Sequence, residues 1–243
     1  TSVKESGLIL SSVENSELTY EKKHELNIGA EIGFIDNRIN IEADWYTRNN
    51  FDLIGLIYTK GTGGQLAKFA NVASMKSSGV EFTVSTRNIK TKDFSWNTDF
   101  IFSHTKNEVT DLQSNASVMD MISGNGFAME GYPVRALFSM DFQGLDENGY
   151  PTFINEKGQL TVSDINFQEQ LKKDHRVYEG PTDPTMTGSL GNIFRYKGFT
   201  LNAFITYSFG NVIRLDPVFH NVYSDLDAMP REFINRWTTG GDE

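Results

Sequence analysis

The chain has 243 residues, carries 32 Asp and Glu against 22 Lys and Arg, and contains no Cys. The absence of Cys excludes a disulfide framework and a thiolate metal site. The net charge of -10, without a run of basic residues, argues against a nucleic-acid surface, because phosphate binding needs clustered Lys and Arg.

The first two predicted strands show a strict alternation of apolar and polar residues. In residues 25–34 the apolar set is Leu26, Ile28, Ala30, Ile32 and Phe34. After a tight turn at residues 36–37, the alternation resumes with a second apolar set at Ile39, Ile41, Ala43 and Trp45. Because successive side chains of a strand point to opposite faces, this period of two predicts neighbouring strands with one apolar and one polar face.

The alternation then disappears and returns. Residues 49–77 lack the period of two and include a Gly-rich stretch at 60–64, so we predict a long loop there. Val80, Phe82 and Val84 mark a third strand, and residues 88–93 form a short polar turn. A fourth strand follows, with one face made by Phe94, Trp96, Thr98, Phe100 and Phe102.

Residues 106–184 are irregular and are predicted to form one large excursion. Turn signals at residues 146–149 and 155–158 are flanked by short extended pieces, which predicts small hairpins. Residues 164–174 allow a short helix. The eight Phe and Tyr residues of the excursion indicate a folded substructure, because disordered segments are poor in aromatic residues.

The last predicted strand pair covers residues 187–196 and 199–209, joined by a turn at residues 197–198. The second strand of the pair alternates cleanly except at Phe204, an apolar residue within the polar set. Beyond Gly210 the chain is predicted to be loop again. A helical turn is expected near Pro230, because Pro suits the first position of a helix.

Loop lengths indicate the class of β protein. The turns at residues 36–37, 88–93 and 197–198 are short, whereas residues 49–77 and 106–184 are long. Outer-membrane barrels have short periplasmic turns and long extracellular loops. We therefore predict about six antiparallel membrane-crossing strands with the short turns in the periplasm. A soluble β-sandwich, whose strands also alternate, is the alternative.

The two faces of these strands have different predicted environments. The apolar set predicted to face lipid is Leu26, Ile28, Ile32, Ile41, Trp45, Val84, Phe100, Leu201 and Ile205. The acidic set predicted to face the barrel lumen is Glu31, Glu42, Asp44 and Asp99. Paired carboxylates can serve acid–base catalysis, but lumen lining is the simpler interpretation of this set.

No residue pattern indicates an active site. The four His residues lie far apart without metal-ligand spacing, and no Ser–His–Asp arrangement is evident, so we predict a protein that is not an enzyme. No cofactor is predicted, although Asp146, Asn148 and Gly149 resemble part of a calcium loop without its bidentate Glu. Aromatic rings in the loops can pack on sugars or peptides, and the resulting candidates for substrate or partner contact are Phe69, Phe127, Tyr132, Tyr150 and Phe153.

Short motifs occur in a particular order along nearly the whole chain. They are Leu18-Thr19-Tyr20-Glu21, Asn27-Ile28-Gly29-Ala30, Asn37-Arg38-Ile39-Asn40, Asp44-Trp45-Tyr46, Ser78-Gly79-Val80-Glu81, Glu130-Gly131-Tyr132-Pro133, Gly144-Leu145-Asp146, Gly180-Pro181-Thr182-Asp183-Pro184, Tyr196-Lys197-Gly198-Phe199 and Arg236-Trp237-Thr238. In this order and spacing they resemble the C-terminal barrel region of SusC/RagA-type TonB-dependent transporters.

The resemblance implies an all-β fold, a transmembrane antiparallel β-barrel of about 22 strands plugged by an N-terminal domain. Residues 1–243 would form part of that single barrel domain, with residues 106–184 as a large extracellular loop excursion. Because about six strands cannot close a barrel of this size, the plug, the TonB box and the remaining strands are expected to lie outside this chain.

The resemblance also implies a function and partners. The function is active import of glycans, peptides or similar nutrients across the outer membrane of a Gram-negative bacterium. The partners are a SusD-like surface lipoprotein lid, the TonB complex reached through the N-terminal region, outer-membrane lipid and the nutrient ligand. Two alternatives stay open here: a passive porin-like barrel, and a soluble or surface-anchored β-rich module for glycan binding or adhesion.

Overall fold

Nearly all regular structure in the described part of the chain is β. A computed structural model describes residues 15–58, 67–113, 118–122, 125–169, 175–215, 224, 226 and 228–240. The strands of these residues are β1 (Lys22–Phe34), β2 (Ile39–Tyr58), β3 (Ala67–Lys90), β4 (Phe94–Leu112), β5 (Ala136–Met140), β6 (Phe142–Leu145), β7 (Pro151–Ile154), β8 (Leu160–Thr161), β9 (Arg176–Pro181), β10 (Met186–Tyr196) and β11 (Phe199–Phe209). The helices are α1 (Val118–Met121) and a 3-10 helix (Arg231–Asn235). Neither of these two helices in the described ranges is long and apolar enough to cross a membrane.

Six of the strands form one sheet in the order β1-β2-β3-β4-β10-β11. The pairs β1–β2, β2–β3 and β3–β4 are antiparallel. Since β10 follows β4 in the sheet, the residues between these strands leave the sheet and return to it. The predicted all-β fold with six antiparallel sheet strands is therefore confirmed, as are the short turns that follow β1, β3 and β10.

The hydrogen-bonded register sorts the side chains of β1 to β4 into rows across the sheet. One row consists of Ile32, Ile41, Val84 and Phe100. The next row along the strands, on the opposite face, consists of Glu31, Glu42, Thr83 and Ile101. The period of two in the sequence thus becomes an apolar face and a mainly polar face that are continuous across four strands.

Tyr46 joins three neighbouring strands on the polar face. Its ring covers Gly79 of β3, and its hydroxyl forms a hydrogen bond of 2.7 Å with Thr105 Oγ1 of β4. A Cβ at position 79 would lie 2.5 Å from the Tyr46 hydroxyl oxygen and 2.6 Å from the backbone oxygen of His104, so only Gly fits there. Because of these contacts the Tyr46 side chain is only 4% exposed. Its two sequence neighbours point to the other face of the sheet.

A second Gly–aromatic contact explains the break in the alternation of β11. A Cβ at Gly191 of β10 would lie 3.2 Å from the nearest ring atom of Phe204. The aromatic ring therefore occupies the space that Gly191 leaves empty on the neighbouring strand. Phe204 departs from the polar pattern of its own strand because its position is set by this cross-strand contact.

The predicted long loop at residues 49–77 is wrong. β2 continues to Tyr58 and β3 begins at Ala67, so strand pairing covers most of this range, while residues 59–66 lie outside the described residues. The register shifts twice between Asn50 and Ile54, where Asp52 has a positive φ of 56°. A β-bulge of this kind inserts an extra residue and changes the face to which the following residues point. The alternation is therefore lost in the sequence although the strand continues.

Most of the excursion belongs to a second compact unit, here called the excursion unit, which also includes the end of the chain: residues 115–129, 133–187 and 207–243 as far as they are described. β5 pairs with β9, and β6, β7 and β8 form a three-stranded sheet. The predicted hairpins are confirmed, with Gly149 and Gly158 at positive φ in their turns. Asn155 orders the second turn, because its side-chain oxygen accepts hydrogen bonds from the N–H groups of Lys157 and Gln159 at 3.0 and 2.9 Å.

Of three further predictions for the irregular regions, two are wrong and one is confirmed. β4 extends to Leu112, so the excursion begins later than the predicted residue 106. Residues 164–169 contain no helix, and residues 170–174 of the predicted helix lie outside the described part of the chain. The helical turn expected near Pro230 is present as the 3-10 helix at Arg231–Asn235.

Ala substitutions at three glycines should lower stability in a fixed order. We expect Gly79→Ala to reduce the free energy of unfolding by ~1–3 kcal/mol, because the added methyl group meets a backbone oxygen that cannot move away. Gly191→Ala should cost less, since the Phe204 ring can shift. Gly198→Ala is the control, because nothing lies within 4 Å of its added Cβ. Urea unfolding of the full-length protein in lipid vesicles measures the order, and equal losses at all three positions would contradict it.

Candidate functional site

The polar face of the six-stranded sheet carries the predicted acidic residues. Glu31 lies directly opposite Glu42, and Asp44 lies opposite Glu81 in the next row of that face. The Asp99 carboxylate accepts a hydrogen bond of 2.7 Å from the Ser85 hydroxyl. The ladders therefore place Glu31, Glu42, Asp44 and Asp99 on one face, whereas their position in a barrel lumen stays a prediction.

The electrostatics of this face require water. Carboxylates directly opposite each other on neighbouring strands repel, and the repulsion grows steeply as the dielectric constant falls. Glu31 and Glu42 form such a pair, and both side chains are exposed. Two like charges at this separation are tolerated where solvent screens them, which makes the polar face suited to a hydrated channel and unsuited to a dry core.

A charged and aromatic cluster lies on the same face toward the other end of β1. Glu25 forms an ion pair of 3.0 Å with Arg48 and a second ion pair with Lys23. The Arg48 guanidinium carbon lies 4.1 Å from the centroid of the Tyr46 ring, a cation–π contact. Sequence reasoning did not single out this cluster. The signal was nevertheless present, because Glu25, Tyr46 and Arg48 all belong to the polar set of their strands.

The opposite face presents large apolar side chains to the surroundings. The members of the predicted lipid-facing set that are exposed are Leu26, Ile28, Ile32, Trp45, Leu201 and Ile205, with exposed fractions between 43% and 63%. Ile41, Val84 and Phe100 are half-buried between neighbouring strands. An apolar surface of this extent normally has an apolar medium or partner against it. That this medium is lipid stays a prediction for each of the nine residues.

The five aromatic candidates do not form one cluster. Phe69 lies in strand β3, not in the predicted loop, and is 59% exposed. Tyr132 belongs to the same compact unit as the sheet, where its backbone oxygen accepts a hydrogen bond of 2.9 Å from the Val109 N–H. Phe127, Tyr150 and Phe153 belong to the excursion unit.

The three rings of the excursion unit differ in their surroundings. Phe127 forms a β-bridge with Ala136 and is half-buried. Phe153 packs on Phe142, with 5.8 Å between the ring centroids. Tyr150 is 60% exposed at the end of the β6–β7 turn, so its ring is the most accessible of the three. Their contact with a substrate or partner stays a prediction.

The calcium-like residues of the β6–β7 turn have a structural role. Asp146 Oδ1 accepts hydrogen bonds from the N–H groups of Asn148 and Tyr150 at 2.9 and 2.8 Å, which stabilises the turn. Across the residues that the structure describes, no group of three or more His, Asp or Glu side chains is arranged to hold a metal ion.

Two charged side chains of the excursion unit have shifted pKa values. Burial lowers the pKa of the Arg176 guanidinium, and the nearby Glu169 opposes this shift. Arg176 donates a hydrogen bond of 3.1 Å to the backbone oxygen of Glu169 and contacts Met121 of α1, so it connects β9 to two other segments. At the surface, the hydrogen bond from Lys157 Nζ to the Asp164 carboxylate raises the pKa of Lys157.

A sheet with an exposed acidic face and an exposed apolar face has the two-sided character of a membrane β-barrel wall. The chain belongs to the TonB-dependent receptor-like β-barrel family, whose model matches residues 8–222. Membership in this family implies an outer-membrane β-barrel, of which the described residues form an open sheet with β1 and β11 at its edges.

Curated relatives agree with this assignment. The chain is 24% identical over 246 residues to TonB-dependent receptor P3 of Formosa agariphila, covering 96% of this chain and 24% of the relative. It is 27% identical over 241 residues to TonB-dependent receptor SusC of Bacteroides thetaiotaomicron, covering 88% of this chain and 23% of the relative. The chain thus spans about a quarter of the length of these relatives, which are receptors and not enzymes.

Solved structures show the same fold. The RagAB peptide transporter superimposes with a TM-score of 0.67 at 24% identity, covering 84% of this chain and 23% of the matched chain. The RagAB peptide importer in its open-open state gives a TM-score of 0.60 at 21% identity, covering 80% of this chain and 21% of the matched chain. The similarity of the chain to SusC/RagA-type proteins, expected from its motifs, is confirmed.

Lys substitutions at two adjacent residues of β3 should separate the two faces. Val84→Lys places a charge in the apolar row, where we expect a loss of ~2–4 kcal/mol in the free energy of unfolding if that row faces mid-bilayer lipid. Thr83→Lys is the matched control on the opposite face. It lies across from Glu42, so its cost should stay within ~0.5 kcal/mol. Urea titration in lipid vesicles measures both values, and an equal cost at the two positions would exclude a lipid-facing apolar row.

Proposed function

We propose that the complete protein is an active transporter in the outer membrane of a Gram-negative bacterium. It imports glycans, peptides or similar nutrients and is energised through TonB. The observation that carries this proposal is the family match over residues 8–222, on a sheet whose two faces suit water on one side and lipid on the other.

In this function the six-stranded sheet is a segment of the barrel wall. Its apolar face lies against lipid, and its acidic face lines the lumen through which the nutrient passes. The opposed Glu31 and Glu42 support this orientation, because their repulsion is screened only on a hydrated side. Tyr46 supports it as well, since a buried ring that joins three strands stiffens the wall without filling the lumen.

The excursion is proposed to be an extracellular substructure of the single barrel domain. Its small sheets and its buried side chains, including Val118, Met121 and Phe138, give it a fixed shape. A fixed shape is what a docking surface requires, because a disordered loop would lose conformational entropy on binding. We assign to this unit the contact with a SusD-like surface lipoprotein lid and with the nutrient.

Energised import can be tested with the full-length gene in its native host. We expect uptake of labelled oligosaccharides or peptides to be lost when the gene is deleted and also when TonB is deleted, because both the pathway and its energy source are needed. The control is restoration of the full-length gene in the deletion strain. A passive porin would continue to conduct without TonB, and a soluble module would not fractionate with the outer membrane, so either result would refute the proposal.

Two rings of the excursion should respond differently to truncation. Tyr150→Ala removes an exposed ring, so we expect an affinity for nutrient or lid weakened by ~1–2 kcal/mol with unchanged protease resistance. Phe153→Ala removes the ring that packs on Phe142, so it should make the β6–β7 hairpin more sensitive to protease. Binding assays and limited proteolysis of the full-length protein measure both effects. Unchanged binding in Tyr150→Ala would remove this residue from the contact surface.

A further inference from the structure

We propose that the short-turn end of the sheet binds the anionic headgroups of membrane phospholipids through a cationic rim. The rim consists of the exposed side chains of Arg38, Arg87, Lys90, Lys92, Arg195 and Lys197. The inference rests on the proposed function, because it requires that the apolar face of the sheet stands in lipid. It adds a binding surface and the charge of the lipid that this surface selects.

The three short turns form one continuous edge of the sheet. They follow β1, β3 and β10, so the alternating strand directions bring them to the same end. The Arg38 guanidinium donates a hydrogen bond of 2.9 Å to the backbone oxygen of Asn88, which ties the first turn to the end of β3. The Lys197 N–H donates a hydrogen bond of 2.8 Å to the backbone oxygen of Asp93, which ties the second turn to the third.

The charge of this edge is opposite to that of the chain as a whole. The protein carries a net charge of -10. The three turns and the residues beside them, at 35–38, 87–93 and 195–198, contain six Lys and Arg residues and two carboxylates, Asp36 and Asp93. A positive edge on an acidic protein attracts anions selectively, because more distant negative charges are screened at physiological ionic strength.

The rim cations form no ion pair with the described residues, and the Arg38 guanidinium is hydrogen-bonded to the backbone oxygens of Arg87 and Asn88. In the described residues, none of the six lies within 4.0 Å of a carboxylate oxygen. Toward the other end of the same sheet, Lys22, Lys23, Arg48 and Lys68 form ion pairs, whereas Lys76 and Lys106 form none with the described residues. Carboxylates thus compensate part of the positive charge at that end and none of it at the rim.

The residues beside the rim favour a lipid headgroup over a soluble anion. Tyr196 and Phe199 are 53% and 80% exposed next to the turn after β10, and Lys197 Nζ lies 5.4 Å from the centroid of the Tyr196 ring. Trp96 stacks on Phe194 in the same region, with 5.5 Å between ring centroids. Exposed apolar residues, aromatic rings and cations thus lie together at the short-turn end of the sheet. A lipid leaflet offers acyl chains, an interface and phosphates as partners for these three kinds of side chain.

The test uses the full-length transporter, purified and exposed to an equal mixture of phosphatidylglycerol and phosphatidylcholine. Native mass spectrometry counts the lipids that each barrel retains. The rim variant is Lys92→Gln/Lys197→Gln. Its matched control is Lys76→Gln/Lys106→Gln, which removes the same charge from two cations of the same sheet that lie away from the rim and form no ion pair with the described residues.

We expect the wild-type protein to retain phosphatidylglycerol in preference to phosphatidylcholine. Each Lys near an anionic surface strengthens binding about fivefold. With allowance for solvent screening, the rim variant should lose at least about tenfold in phosphatidylglycerol affinity, whereas the control should lose less than about twofold. Heat-modifiable migration in gels confirms that both variants are folded.

Three outcomes would overturn the proposal: no preference for phosphatidylglycerol, an equal loss in the control variant, or displacement of the lipid by glycerol 3-phosphate at equal phosphate concentration. The last outcome would identify the rim as a site for soluble anions. Nutrient uptake is measured in parallel with the same proteins. Intact uptake without lipid preference would refute the rim alone, whereas a wild-type protein that neither inserts nor imports would refute the proposed function.

Discussion

The structure depends on the need to satisfy every backbone N–H and C=O group where no water is available. A group left without a hydrogen bond in hydrocarbon costs several kcal/mol, so a membrane strand must pair along its whole length. β1 and β2 pair without interruption from Lys22 opposite Phe51 to Phe34 opposite Ile39. Because the backbone is used entirely for lateral pairing, the two sets of side chains are free to meet two different environments. The apolar and acidic faces are a consequence of that pairing.

This constraint also explains why some single side chains on the sheet contact more than one neighbouring strand. The spacing of paired strands is fixed at ~4.8 Å, so a side chain can pass its neighbour only where that neighbour lacks a Cβ. Tyr46 crosses β3 at Gly79 and reaches Thr105, and Phe204 occupies the space above Gly191. A large ring on one strand and a Gly on the next form one unit, which provides packing between neighbouring strands of the sheet itself.

The same reasoning separates what the sequence could predict from what it could not. The strands with unbroken alternation were predictable, because the polarity of each residue indicates the face of the sheet to which its side chain points. The ends of β2 and β3 were not, because the register shifts beside Asp52 interrupt the alternation, and recognising them requires knowledge of the partner strand. Phe204 and the cluster around Arg48 depend in the same way on which residue lies opposite. Sequence patterns report periodicity within a strand, whereas these features are set by register between strands.

The candidate contact residues illustrate a different limit. An aromatic ring is suited equally to packing a loop and to binding a sugar or peptide, so residue type alone cannot assign its role. Packing separates the candidates: Phe153 is engaged with Phe142, whereas Tyr150 projects from a turn whose backbone is already held by Asp146. A ring on a turn that is stable without it is free to serve recognition. The part of the excursion that presents such a ring on a rigid hairpin is therefore the part best suited to meet a ligand.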